Sequence, residues 1–226
     1  MTVDEGVIKF SVERRAQALA PRRYQALASK LIAWREILAR TGLVGQDPAR
    51  YGGAGYGNVS ARVGAPASPR GARPFLISGT QTSGLTSIGL GELCVVERYD
   101  LRNNRAISEG LIDPSSESLT HGAIYDLSPH IRAVLHAHAP LIWRRARELR
   151  LPTTDPRAAY GTTDIAYEAQ RLYRSTALPE RRILAMGGHE DGIIVFGKTV
   201  QEAGAVRIRS LAQAFEGNLG AGEGLR

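Results

Sequence analysis

Short apolar runs of strand length alternate along this chain with longer stretches of helical spacing, and that interleaving points to an α/β fold. "NVSARV", "PFLIS" and "ELCVVERYD" read as strands, the first two joined by the Pro/Gly/Ser-rich turn "GAPASPRGAR". "IRAVLHAHA", "RRILAMGG" and "GIIVFG" read as three more. Between them, Tyr24, Leu27, Leu31, Trp34 and Leu38 recur on one face of a helix that starts at Pro21, and Gly42 stops it. "DPSSESLTHGAIYDLSP" reads as a helix capped by Ser115 or Ser116, with Glu117 in its first turn. "PLIWRRAREL", "GTTDIAYEAQRLYRST" and "TVQEAGAVRIRSLAQAFEG" complete the helices. Residues 1–19 read as a poorly anchored leader or a short helix, 20–217 as one domain with a mixed or antiparallel sheet, and 218–226 as a frayed tail.

At 226 residues the chain can bury one sizeable core, and 43% hydrophobic residues suit a soluble protein. No window reaches the roughly 18 unbroken apolar residues of a membrane span, and the N-terminus lacks a secretory h-region. Cys94 is the single cysteine, in a strand-like run; with no possible internal disulfide, a cytoplasmic location is expected. The net charge of +7 comes almost wholly from arginine. The arginines are scattered, the densest group being "RRAREL" with Arg150 after it, and they are not interleaved with aromatics. That distribution favours attraction of a small anionic substrate over nucleic acid. "GQDPARYGGAGYG" is a glycine-rich loop but no Walker loop, since no Gly-Lys-Ser/Thr follows.

Five histidines are present, and two of them stand in "AVLHAHAP". On a strand, His136 and His138 point to one side with Cβ atoms roughly 7 Å apart, while Ala137 faces the other. Two imidazoles so placed can converge on one ion. Glu117 lies in the first turn of the preceding helix, and His189 lies in a glycine-rich turn between two strand-like runs. Three histidines are the ligand set of a catalytic zinc with an open position.

The order "GNVS", "LISGT", "PSSE", "HAHAP" and a late histidine before "GIIVFG" resembles the class II aldolase/adducin family, whose metal-dependent members include fuculose phosphate aldolase and ribulose phosphate epimerase. The resemblance spans residues 20 to 217. It implies a three-layer α/β/α domain around a central, mostly antiparallel sheet, and a homotetramer with sites at subunit interfaces. It also implies that His136, His138 and His189 hold the metal, Zn²⁺ or another divalent ion such as Mn²⁺ or Co²⁺, and that Glu117 is the catalytic acid/base. A phosphate cradle maps onto Gly57, Asn58, Ser78, Gly79, Thr80, Ser115 and Ser116, residues small or hydroxylated enough to suit an anion.

The implied activity is that of a lyase in carbohydrate metabolism, making or breaking a C–C bond of a small anionic hydroxy-carbonyl or sugar phosphate through a metal-stabilised ene-diolate. The same intermediate serves epimerases, dehydratases and decarboxylases, and an adducin-like binding module would keep the fold without the chemistry. Two departures stand out. The segment between His138 and "YGTTDIAYEA" is shorter than in sugar-phosphate aldolases, where it carries a tyrosine acid; Tyr160 is the nearest candidate and reads better as a packing residue. "HEDG" replaces the usual His-Gly step, leaving Glu190 and Asp191 as solvated turn residues, an extra ligand, a supporting shell or a replacement acid. His121, one helical turn after Glu117, reads either as support for the site or as a hydrogen-bonded core histidine, and His130 as surface.

Overall fold

The computed structural model describes residues 10–159 and 161–220. The first nine residues of the expected leader, Tyr160 and residues 221–226 of the expected tail lie outside the described residues.

Among the described residues the first elements are strand β1 (Ser11–Arg15) and helix α1 (Pro21–Arg40). Strands β2 (Gly45–Gln46) and β3 (Gly55–Tyr56) form a small ribbon inside the glycine-rich loop. Then come β4 (Asn58–Arg62), β5 (Phe75–Ser78), β6 (Leu93–Asp100), β7 (Arg105–Gly110), α2 (Ser118–Leu127) and β8 (Ala133–His138). The last part holds α3 (Pro140–Arg144), α4 (Thr163–Ser175), α5 (Leu178–Arg181), β9 (Ile183–Ala185), β10 (Gly192–Gly197) and α6 (Val200–Gly220).

Eight strands make one sheet in the order β1-β7-β6-β5-β4-β8-β10-β9. Every neighbouring pair is antiparallel except β1 with β7. Strand alternation sends Leu135 and Ala137 into a core shared with Leu31 and Leu38 of α1 and Ala203 and Ala214 of α6. It sends Val134 to the opposite core, against Leu119 and Ile124 of α2 and Ile165 and Ala169 of α4. The architecture is therefore three layers, α/β/α. Among the described residues no helix is long and apolar enough to cross a membrane.

The helix ends show which local signals held. Gly42 stands at φ 69 just past α1, as its C′ role requires. Helix α2 begins later than expected: Glu117 takes the cap position, and the Ser118 N–H and Oγ donate to the Ser115 carbonyl at 2.9 and 2.7 Å. The helix after β8 is only five residues long and passes into consecutive turns. Ser11–Arg15 is neither loose nor helical but an edge strand, and α6 runs to Gly220, past the point where fraying was expected. Cys94 is fully buried in β6, and His130 is exposed.

The candidate active site

β8 lies between β4 and β10, so its register is fixed from both sides, with Asn58 opposite His136 and Gly192 opposite His138. His136 and His138 share the face of Val134, and their ring centroids are 5.1 Å apart. The third imidazole arrives from the β9–β10 turn. That turn packs closely on residues 154–158. A Cβ on Gly187 would stand 2.2 Å from the Thr154 carbonyl oxygen, and one on Gly188 would stand 2.5 Å from that of Ala158. The Gly187 N–H donates to Thr154 Oγ1, the Trp143 indole donates to the Met186 carbonyl, and the Ala139 N–H donates to the Asp191 carbonyl. These ties bring the His189 ring to 4.7 Å from that of His138 and 5.1 Å from that of His136. One nitrogen from each of the three lies within 4.8 Å of the others, so these residues could hold a metal ion.

Glu117 completes the cluster, its Oε1 3.2 Å from Nδ1 of His189. All four side chains are buried. Burial pushes His136 down to about 3 and His138 well below the ordinary imidazole value, so both are neutral at neutral pH and keep a lone pair for a ligand. Burial raises the Glu117 carboxyl, but His136 and His189 more than offset this, and it settles at about 2. The carboxylate is the ionised partner. Neither nitrogen of His136 has a hydrogen-bond partner. A buried imidazole without partners costs free energy, and a coordinated cation supplies one.

The loops named as an anion cradle gather at the same end of the sheet. Gly57 sits at φ 80, where a Cβ would stand 2.7 Å from Val44 and 3.2 Å from the His136 carbonyl oxygen. Ser78 Oγ accepts from the Val59 N–H, and Gly79 bridges to Pro114 just before Ser115 and Ser116. The Gly79 and Thr80 N–H groups already donate to Glu92 and Asp113, so hydroxyls and the Asn58 amide are what this cradle offers. Asn58 Oδ1 has no partner. From α1, the buried Arg35 guanidinium donates to the carbonyls of Thr82, Ser83 and Leu85 and pins the loop that follows.

His121 makes its hydrogen bond within the core. Its Nδ1 lies 2.6 Å from Ser60 Oγ, which lies 2.7 Å from the Tyr125 hydroxyl, so it is a hydrogen-bonded core histidine one turn behind the site. Glu190 is exposed, whereas Asp191 is buried and its Oδ2 accepts the Tyr51 hydroxyl at 2.6 Å. Tyr51 also accepts from Arg50 Nη2 at 2.7 Å, and its ring meets that of His138 edge-on at 4.5 Å. The Arg50 guanidinium lies over the rings of Tyr51 and Tyr56. Arg50, Tyr51, Arg144, Glu190 and Asp191 line a hollow of about 510 Å³ beside the histidines. The sequence gives no sign of the Tyr51–Asp191 pair, whose members are 140 residues apart.

Residues 48–216 match the family described as Class II Aldolase and Adducin N-terminal domain. The chain belongs to this family. Among solved structures, the l-fuculose-1-phosphate aldolase of Thermus thermophilus is similar at 20% identity, covering 89% of this chain and 99% of its own, with a TM-score of 0.61. YgbL of Klebsiella pneumoniae, described as a putative aldolase/epimerase/decarboxylase, is similar at 20% identity and a TM-score of 0.58, covering 84% of this chain and 87% of its own. The sugar-phosphate aldolase of Thermotoga maritima aligns at 16% identity and a TM-score of 0.61, over 89% of this chain and 98% of its own. At such identities these likenesses establish the family's fold. No curated protein matches the chain.

Proposed function

We propose that this family member is a metal-dependent lyase of the aldolase type, acting in the cytoplasm on a small anionic hydroxy-carbonyl or sugar-phosphate substrate. The observation that carries the reading is the buried set of three imidazoles with the Glu117 carboxylate 3.2 Å from one of them. His136, His138 and His189 would hold the ion, with zinc the best match to three neutral imidazoles and Mn²⁺ or Co²⁺ the alternatives. A bound divalent ion supplies a Lewis acid that polarises a substrate carbonyl and offsets negative charge developing on its oxygen.

The chain's own residues then divide the remaining work. Glu117, ionised and held beside His189, takes the proton from the carbon next to the carbonyl in the condensation direction. In the cleavage direction it returns the proton to that carbon after the C–C bond breaks. Asn58, Ser78, Thr80, Ser115 and Ser116 hold the anionic end of the substrate. A homotetramer with sites between subunits is part of the proposal, since closed rings are a common way for such chains to bury surface.

The test is elemental analysis of purified protein, followed by a turnover screen on ketose phosphates and hydroxy-acids with and without chelator. About one metal per chain and chelator-sensitive C–C cleavage support the reading. Metal-bound protein that only epimerises, dehydrates or decarboxylates would replace the lyase assignment. Protein that takes up no metal would end it.

A further inference from the structure

The arginine group after β8 has no role in the chemistry above. Arg144 closes α3, Arg147 and Arg150 follow at three-residue intervals in the consecutive turns after it, and all three are exposed and line one hollow of about 820 Å³. Arg181, at the end of α5, also lines it, its Nη2 donating to the Leu149 carbonyl at 2.7 Å. No Asp or Glu lines this hollow, and among the described residues none of Arg144, Arg147 and Arg150 is paired with a carboxylate. Glu148, within the same turns, is paired instead with Arg145. Like charges at this spacing repel one another unless a counter-charge lies between them.

The backbone shows how Arg150 is placed. The Arg150 N–H donates to the Arg147 carbonyl, and the Leu151 N–H donates to the Ala146 carbonyl. This pair of bonds ends a helical stretch and favours glycine at the left-handed position. Arg150 occupies that position at φ 51. A side chain there is strained relative to glycine. The floor is apolar, made of Ala146, Leu151 and Pro152 with Trp143 at its side. The volume lies in the range of small-molecule clefts. Arg144 also lines the hollow that carries Tyr51 and Asp191, so the two cavities share a wall.

We propose that this hollow is a binding site for a small phosphate-bearing anion, held by Arg144, Arg147, Arg150 and Arg181 and separate from the cradle around Asn58 and Thr80. It is independent of whether the family chemistry assigned above is the right one.

Isothermal titration of the intact protein with inorganic pyrophosphate at low salt tests it. We expect saturable binding that weakens at least tenfold in Arg147→Glu and in Arg150→Gly. Arg150→Gly relieves the left-handed strain, so lost binding cannot be put down to unfolding. His136→Ala, which removes a candidate metal ligand, should bind pyrophosphate like the wild type. The proposal is overturned by an absence of saturable binding up to millimolar pyrophosphate, by wild-type affinity in both arginine variants, or by loss of binding in His136→Ala alone.

Discussion

Nδ1 of His189 stands 3.2 Å from the Glu117 carboxylate, while Nε2 of the same ring stands 2.9 Å from Nε2 of His138. One imidazole thus touches both the candidate base and the candidate ligand set, and the two roles can be separated by substitution. Glu117→Gln keeps the shape of the side chain but cannot take a proton. It should fold and keep its metal while losing about 10²–10⁴-fold in turnover. Loss of metal in step with activity would make Glu117 a ligand. Full activity would remove it from the mechanism.

His136 has no hydrogen-bond partner for either ring nitrogen, so a metal is its best remaining ligand. His136→Ala should lower bound metal from about one per chain to a trace after dialysis, measured by elemental analysis. Equal metal in variant and wild type would show that the ion, if any, sits elsewhere.

Thr80 stands between Gly79 and the loop that Arg35 pins, next to the serine pair. A carboxylate introduced by Thr80→Glu places like charge against an anionic substrate. KM should rise at least tenfold with a smaller change in kcat, and millimolar phosphate should compete with substrate in the wild type. Equal affinity for charged and uncharged substrate analogues would rule out an anion cradle at this position.

Asp191 is buried and accepts the Tyr51 hydroxyl. Asp191→Ala leaves that hydroxyl without its acceptor and Arg50 without its nearest carboxylate, at a cost of about 1–3 kcal/mol. Urea denaturation should show a lower midpoint at an unchanged slope. An unshifted midpoint would mean that water replaces the carboxylate at no cost.

Burial holds His121 down to about 4, against an ordinary 6.5. The unfolded chain therefore takes up the proton first as pH falls. The stability His121 contributes is complete above about 6.5 and is lost progressively toward about 4. The Tm should decline across that window, and His121→Asn should flatten the decline. Parallel Tm–pH curves for the two proteins would show that another group drives it.

Elements that bury a periodic apolar face could be read from sequence. The strands of "NVSARV", "PFLIS" and "GIIVFG" and helix α1 all announced themselves in this way. β7 did not, because its alternation places Ser108 at a fully buried position. β1 did not, because "SVERR" carries charge on an exposed edge and is held by its pairing with β7. In the site, the H-x-H pair was legible because strand period alone fixes its geometry. Arg50, Tyr51 and Asp191 were not, because only the fold brings a glycine-rich loop against the β9–β10 turn. The left-handed conformations of Tyr51 and Asp191 are visible only in three dimensions.

β8 is clasped by strands on both sides, and a one-residue slip would turn His136 and His138 into the packed layer beneath α1 and α6 while exposing Ala137 to the site. Two of the three imidazoles are therefore as invariant in position as the sheet itself. The third hangs on a turn whose length the sheet does not dictate, and here that turn carries Glu190 and Asp191 between His189 and Gly192. Residues can be added to such a turn without disturbing the strand pair. The scaffold thus leaves one side of the cluster free to vary, and new side chains around a constant pair of imidazoles can enter from that side.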